Sequence, residues 1–291
     1  MPSPFEAKKS KILSQLSTPS DAYTDLSPKG SVDLPIRSLV DEINALPSLV
    51  TTSSCSGRLA IYAEGLKPST SSSANAQGKG SGGAWLFVSH SPVPVPPTLS
   101  SLLSSSENET PSSIASITPR STAFGPQDRL IRLKFEPLIL HVLCADSRAA
   151  RALLAAAQGA GFRESGVSSL PAPPPTNEGR EGERKYPRRE RRPRDESVML
   201  AIRTTGLALD APVAVVGGTE GVEQVVSDAY VAGLVGVANE RFVVNEERKR
   251  RLAEGIRRAF AGAQEEATIA QGDDRDDDLD DGQPTTTGVE R

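Results

Sequence analysis

The eight residues TTSSCSGR, Thr51 to Arg58, join two stretches with different periodicities. The preceding stretch, LPIRSLVDEINALPSLV, has apolar residues at helical spacing, and the following stretch, LAIYAE, alternates as a strand does. A turn between a helix and a strand needs only residues such as Gly, Asn or Pro, whereas this one carries hydroxyls, a thiol and a guanidinium. We therefore expect this small polar loop to line a functional site.

The composition predicts an ordered core smaller than the chain. Of 291 residues only 37% are hydrophobic and 4% aromatic, and the chain contains 23 Pro and 24 Gly. This hydrophobic content is low for a chain folded over all 291 residues, so we expect one domain interrupted by disordered insertions. The domain is predicted over residues 5–262, with low-complexity insertions near 66–82, 91–128 and 171–196, followed by an acidic disordered tail over 263–291.

The net charge of −4 hides a segregation of charge along the chain. The segment GREGERKYPRRERRPR, residues 179–194, is strongly basic and is interpreted as a solvated linker in preference to a phosphate contact. Cys55 and Cys144 make neither a disulfide framework nor a metal site, so no metal is predicted. Free thiols suit a reducing compartment, and the sequence shows neither a membrane-spanning apolar run nor a signal-peptide core. These features together predict a cytoplasmic protein.

The remaining segments predict an α+β fold, with a mixed sheet flanked by helices. Asp33 is expected to cap a helix running from Pro35 to Leu46. Further helices are predicted over FEAKKSKILSQL, over DSRAARALLAAAQGAGF and, as one or two helices, over the long stretch before the tail. Strands are predicted over LAIYA, AWLFVSH, LIRLKFEPLILHVLCA with a break near Pro137, and SVMLAIRTT.

Several polar groups at strand ends are candidates for chemistry. An arginine such as Arg58, Arg163 or Arg203 can bind a carboxylate or phosphate there, although a surface salt bridge is the usual role of a lone arginine. Cys55 near a histidine would suit a Cys–His hydrolase, but nothing else about the loop resembles a nucleophile elbow. GKGSGG, residues 78–83, has dinucleotide-motif spacing but opens a strand, so it is interpreted as a linker.

Six motifs occur in order along the chain: DLSPKGSVD, TTSSCSGR, GGAWLFVSH, LKFEPLILHVLC, AGFRESGV and ANERFVVNEERKRRL. Together they resemble the family of tRNA wybutosine-synthesising protein 3, over about residues 5–252. The resemblance implies an S-adenosylmethionine-dependent methyltransferase that acts on N4 of the tricyclic guanosine derivative at position 37 of phenylalanine tRNA. It also implies a fold other than the Rossmann methyltransferase fold. The implied partners are the anticodon loop of that tRNA and, as candidates, other enzymes of the wybutosine pathway.

The resemblance and the polar loops together define a predicted site. The candidates for the general base that takes the acceptor's proton are His90, His141 and Glu136. Cofactor binding is predicted for Ser54, Ser56, Gly57, Arg58 and Arg203. Substrate binding is predicted for Ser53, Cys55, Trp85, Ser89, Lys134, Arg163, Glu164, Ser165, Asn239 and Asn245. The alternative function is a non-catalytic module that holds tRNA and has no need of S-adenosylmethionine.

Overall fold

A computed structural model of the chain describes residues 2–17, 32–65, 83–105, 117–126, 128–170, 195–217 and 221–261. The insertion predicted near 66–82 and the acidic tail over 263–291 lie outside these residues, as does all but the end of the insertion near 171–196. Most of the motif DLSPKGSVD and nearly all of GKGSGG lie outside them too.

The described residues form an α+β fold, which confirms the predicted class. The helices are α1 (Pro4–Leu16), α2 (Arg37–Ala45), α3 (Leu99–Ser104), α4 (Ser147–Gly159) and α5 (Asp228–Ala259). The strands are β1 (Leu49–Cys55), β2 (Arg58–Ala63), β3 (Ala84–Ser89), β4 (Ile117–Pro119), β5 (Leu130–Glu136), β6 (Ile139–Cys144), β7 (Gly166–Ser169), β8 (Val198–Ile202), β9 (Leu209–Val216) and β10 (Val222–Gln224). Among the described helices, none is both long and apolar enough to cross a lipid bilayer.

The strands form two sheets where the sequence predicted one. An antiparallel four-stranded sheet has the order β1-β6-β8-β7, and a six-stranded sheet has the order β3-β2-β5-β9-β10-β4. The six-stranded sheet is mixed because β10 and β4 run parallel. The chain passes between the sheets at three crossings, which are β1 to β2, β5 to β6 and β8 to β9.

The quoted segment TTSSCSGR is strand for most of its length. It supplies the end of β1 and the first residue of β2, and only Ser56 and Gly57 lie between them. The prediction of a loop was therefore wrong, since β1 pairs along its length with β6, apart from one register shift between Thr51 and Ser53. Threonine suits the extended backbone, and the polar side chains are tolerated because part of this strand is exposed.

Each sheet has its own hydrophobic core, and α5 packs into both. Val235 and Phe242 lie in the core of the six-stranded sheet, where the Phe242 ring meets Phe135 edge to face at a centroid distance of 4.9 Å. Leu252 and Ile256 lie in the core of the four-stranded sheet. The 32 residues of α5 make one helix, about 48 Å long at the usual rise per residue. A single helix therefore packs against both sheets.

Asn245 on α5 ties two of the crossings together through its side-chain amide. Its Oδ1 accepts a hydrogen bond from the backbone N–H of Leu138 at 2.9 Å, and its Nδ2 donates to the carbonyl of Ser56 at 2.8 Å. The residue is completely buried. Gly57 has φ +99°, and a Cβ at that position would lie 2.9 Å from Asn245 Nδ2. Close approach and backbone conformation therefore both require glycine here.

Part of the segment predicted as an insertion over 91–128 is ordered. Leu99, Leu102 and Leu103 of α3 are buried in the core of the six-stranded sheet. Thr98 caps this helix by accepting a hydrogen bond from the backbone N–H of Ser101. The leucine spacing and the capping threonine are local helix signals. The prediction missed them because the surrounding serines and prolines made the whole segment read as low complexity.

Replacing Asn245 by alanine is expected to lower the free energy of unfolding by about 2–4 kcal/mol. The reason is that the N–H of Leu138 and the carbonyl of Ser56 would stay buried without their partner. Urea denaturation measures the effect. The matched control is Val243→Ala on an exposed face of the same helix, which should change stability by less than about 0.5 kcal/mol. Equal stability of the Asn245 variant and the wild type would contradict the role assigned to the amide.

Candidate functional site

A cleft of about 960 Å³ opens beside the crossing from β1 to β2. Its lining includes the end of β1, most of β3 and the proline-rich segment over residues 93–97. Residues of α3 and of the loop before α2 complete the lining. The volume falls at the upper end of the range for small-molecule and cofactor sites.

The fold brings half of the predicted site residues to this cleft. Those that line it directly are Ser54, Cys55, Arg58, Trp85, Ser89 and His90. Ser56 and Gly57 contact the ring of His90, with the Ser56 hydroxyl at 3.4 Å and the Gly57 carbonyl at 3.1 Å from Nδ1. Glu136 reaches the site through Arg58, to which it is paired.

Asp33 is a site residue that the sequence predicted only as a helix cap. Its side chain makes no capping bond at the turn that precedes α2. Instead Oδ2 accepts a hydrogen bond from the backbone N–H of Ser56 at 2.9 Å and lies 3.3 Å from Nδ1 of His90. The capping prediction was wrong because the folded chain offers this carboxylate the Ser56 N–H and the His90 ring.

The contacts of His90 fix its tautomer. A carbonyl oxygen can only accept a hydrogen bond, so the 3.1 Å contact between Nδ1 and the Gly57 carbonyl places a proton on Nδ1. The carboxylate of Asp33 on the same side of the ring favours that proton too. In the neutral ring the lone pair then belongs to Nε2. An imidazole oriented by a buried carboxylate in this way is suited to accept a proton.

Arg58 is held in place on the cleft wall by two interactions. Its Nε donates to Oε2 of Glu136 at 2.6 Å, and its guanidinium carbon lies 4.3 Å from the centre of the Trp85 ring. Trp85 is packed in turn against Tyr62, with the ring centroids 4.8 Å apart. A guanidinium that is fixed beforehand can bind a carboxylate or phosphate with little loss of side-chain entropy.

The thiol of Cys55 is not activated for nucleophilic attack. Burial raises its pKa, and the nearby carboxylates of Asp33 and Glu136 act in the same direction, against the opposing effects of the Gly57 N–H and Arg58. A reactive cysteine needs the opposite shift, since the thiolate is the nucleophile. The geometry therefore gives the Cys–His hydrolase alternative no support.

Several predicted residues lie elsewhere in the fold. His141 is half-buried in the four-stranded sheet, with its Nδ1 2.9 Å from the exposed Ser53 hydroxyl. Lys134 forms an ion pair with Asp210 at 3.5 Å. None of these residues lines the cleft.

A second group of predicted residues secures the crossing from β8 to β9. The backbone N–H of Arg203 donates to the Ser165 hydroxyl at 3.2 Å, and its side chain donates to the Glu164 carbonyl at 3.2 Å. The Glu164 carboxylate accepts from the N–H of Thr205 at 3.1 Å. These residues and Arg163 are absent from the cleft lining, and the hydrogen bonds join two backbone segments.

The two predicted asparagines of α5 hydrogen-bond to backbone groups in and beside the cleft. Asn239 holds the backbone of Val93, accepting from its N–H at 3.0 Å and donating to its carbonyl at 2.7 Å. Asn245 holds the carbonyl of Ser56. Both amides are therefore used on backbone groups, Asn239 on a lining residue of the cleft and Asn245 on the crossing beside it. Val93 and the following prolines are cleft residues that the low-complexity interpretation missed.

Comparison with known proteins places the chain in a family. The sequence model of the family described as Methyltransferase TYW3 matches residues 7–258. The chain belongs to the TYW3 methyltransferase family. The tRNA wybutosine-synthesizing protein 3 of Schizosaccharomyces pombe is 32% identical over 87% of this chain and 87% of its own length. That of Saccharomyces cerevisiae is 38% identical over 57% of this chain and 58% of its own length.

Two further matches are a much longer plant protein and an archaeal protein of low sequence identity. The tRNA wybutosine-synthesizing protein 2/3/4 of Oryza sativa is 35% identical over 84% of this chain, but the match spans only 19% of the plant protein. The solved structure of the PH1069 protein from Pyrococcus horikoshii has a TM-score of 0.56 at 20% identity, covering 88% of this chain and 95% of that one. That likeness supports the fold alone.

The thiol of Cys55 should react with iodoacetamide more slowly at neutral pH than the thiol of free cysteine. The variant Cys144→Ser isolates this reaction by removing the second, fully buried thiol. Because burial raises its pKa, the reaction rate should rise with pH around an inflection above that of free cysteine. An inflection below the free-cysteine value would restore the activated-thiol interpretation.

Proposed function

We propose that this chain transfers a methyl group from S-adenosylmethionine to N4 of the tricyclic guanosine derivative at position 37 of phenylalanine tRNA. Membership of the TYW3 family supports methyl transfer, and the names of the yeast relatives support a step in wybutosine synthesis. The observation that carries the proposal is the Asp33–His90 pair, placed in a cleft of cofactor size beside a fixed arginine.

The cleft fits S-adenosylmethionine in size and in chemistry. Arg58 offers a fixed positive charge for the methionine carboxylate, and Ser54 offers a hydroxyl. Val93 and the exposed Val95 provide apolar surface on which an adenine ring can lie. When bound, the cofactor would supply a methyl group already activated by a positively charged sulfur, so the protein's task is mainly alignment and proton removal.

His90 is the general base in this proposal. The acceptor nitrogen bonds to the methyl carbon as the bond from that carbon to sulfur breaks, and sulfur keeps the electron pair. The proton of the nitrogen then passes to Nε2 of His90, and Asp33 stabilises the imidazolium through its contact with Nδ1. His141 and Glu136 are less suited, because His141 lies outside the cleft lining and Glu136 is paired with Arg58.

The enzyme would reach its proposed target base without opening a base-paired stem of the tRNA. Position 37 lies in the single-stranded anticodon loop, where a base can turn into a pocket. Trp85 lies in the cleft lining and offers aromatic surface near Arg58. A phosphate contact by the basic segment over residues 179–194 stays a prediction, because that segment lies outside the described residues.

Other enzymes of the same pathway are the further partners that we propose. The plant relatives of Oryza sativa and Arabidopsis thaliana bear the name protein 2/3/4, and the match to this chain spans about a fifth of each. Such names support the proposal that a protein of this family works beside the enzymes that act before and after it.

Replacing His90 by alanine is expected to lower kcat by about 10²–10⁴, the usual contribution of a general base. Asp33→Asn should lower kcat as well, because the imidazolium loses its stabilising charge, while KM for tRNA stays within about threefold. His141→Ala is the matched control, since it removes the only other histidine of the chain, and it should retain activity. A His90 variant with wild-type kcat would remove this residue from the mechanism.

The first experiment is methyl transfer with labelled S-adenosylmethionine and phenylalanine tRNA from a strain that lacks this enzyme. The modified nucleoside is identified by mass, and a gain of one methyl group on the tricyclic base is expected. Calorimetry measures cofactor binding in parallel. Binding of tRNA with neither methyl transfer nor cofactor binding would contradict the proposal and favour the non-catalytic tRNA-binding module.

A further inference from the structure

We propose that Asp33, Cys55 and His90 form a binding site for one divalent transition-metal ion of the zinc type at the base of the cleft. Each residue contributes one donor atom, namely a carboxylate oxygen, the thiol sulfur and a ring nitrogen. These three atoms all lie within 4.8 Å of one another. This proposal does not depend on the proposed methyl transfer.

The separations of the donor atoms are close to those of a formed site. A tetrahedral zinc ion has bonds of about 2.0–2.3 Å, so its donor atoms lie about 3.3–3.6 Å apart. Oδ2 of Asp33 and Nδ1 of His90 are already 3.3 Å apart. The ion would take the place of the Nδ1 proton, which faces the Gly57 carbonyl in the metal-free protein, and the ring proton would then lie on Nε2. The sulfur of Cys55 lies within 4.8 Å of both other donors, so it needs to approach by no more than about 1.5 Å, which a side-chain rotation provides. The cleft leaves room for water as a fourth ligand, as in three-ligand zinc sites.

The chemistry of the three donors selects the kind of ion. A thiolate and an imidazole favour Zn²⁺, Co²⁺ or Cu²⁺ over Mg²⁺ or Ca²⁺, which require oxygen ligands. The ion bonds to sulfur as the thiol proton leaves to solvent, so one thiolate and one carboxylate balance its two positive charges. Asp33 is buried, and a buried carboxylate gains from a positive charge placed beside it.

With only two cysteines, the sequence predicted no metal site, because such predictions depend on ligands that are close together in the chain. Asp33, Cys55 and His90 lie far apart in the chain and show none of the close spacings by which zinc sites are usually found. The loop before α2, the end of β1 and the end of β3 bring them together. The site is therefore a product of the fold.

A bound ion would also affect the proposed reaction. If His90 is the general base, an ion on Nδ1 leaves the ring proton on Nε2, so Nε2 has no lone pair for the proton of the substrate and the ion inhibits methyl transfer reversibly. This consequence rests on the proposed function, whereas metal binding itself does not. Binding is therefore measured without tRNA or S-adenosylmethionine, so that failure of one proposal is distinguishable from failure of the other.

The test is a titration of the tag-free, chelator-treated full chain with Co²⁺, followed by absorption spectroscopy. We expect the visible bands of tetrahedral cobalt together with a sulfur-to-cobalt charge-transfer band, saturating at one ion per chain. Addition of Zn²⁺ should remove both. Cys55→Ser should abolish the charge-transfer band and weaken Co²⁺ binding by at least about tenfold.

Cys144→Ser is the matched control because it removes the only other thiol, which is fully buried. It should keep the wild-type spectrum. Asp33→Asn and His90→Gln should each weaken binding by about tenfold or more, with folding checked by circular dichroism. The proposal is overturned if the wild type gives no charge-transfer band, or if the band survives in Cys55→Ser.

Discussion

The side-chain amide of Asn245 is the contact on which the arrangement of the two sheets depends. Where a strand leaves one sheet for the other, its backbone groups lose their ladder partners, and buried groups of this kind need replacements. Asn245 supplies them at the first two crossings, through Ser56 and Leu138. At the third crossing Arg241 donates to the carbonyls of Leu207 and Ala208 at 3.1 and 2.8 Å. One helix thus satisfies backbone groups at all three crossings while its apolar residues fill both cores.

The candidate site is built on the same residue, Ser56, whose backbone the helix holds. The carbonyl of Ser56 accepts from Asn245, and its N–H donates to Asp33. The carbonyl of Gly57 then fixes the ring of His90. Because these groups are backbone atoms of a crossing and not loop side chains, the positions of the carboxylate and the imidazole follow from the packing of the sheets. A site supported in this way holds its geometry without further adjustment.

The lining of the cleft combines charged and apolar groups from different segments of the chain. Asp33, His90 and Arg58 supply the polar and charged groups of the lining, and Arg58 is fixed between Glu136 and Trp85. Apolar surface comes from the proline-rich segment over residues 93–97, whose prolines have no backbone N–H to pair. Asn239 attaches this segment to α5 through the backbone of Val93. The combination suits a ligand with an anionic end and a flat apolar ring.

The sequence by itself determined the elements whose causes are local. Asp146, the first residue of the segment predicted as a helix, caps α4 by accepting a hydrogen bond from the N–H of Ala149 at 2.8 Å. The long segment before the tail, predicted as one or two helices, is the single helix α5. Capping and periodicity act over three or four residues, so neighbouring residues are enough to predict them. Only the tertiary structure decided that there are two sheets and that His90 reaches the cleft while His141 does not. It also decided the partners of Ser56, since Asp33 lies 23 residues away in the chain and Asn245 lies 189 residues away. Many polar side chains of the sequence could pair with a given buried backbone group at such separations. Which of them does so depends on the path of the backbone in the folded protein.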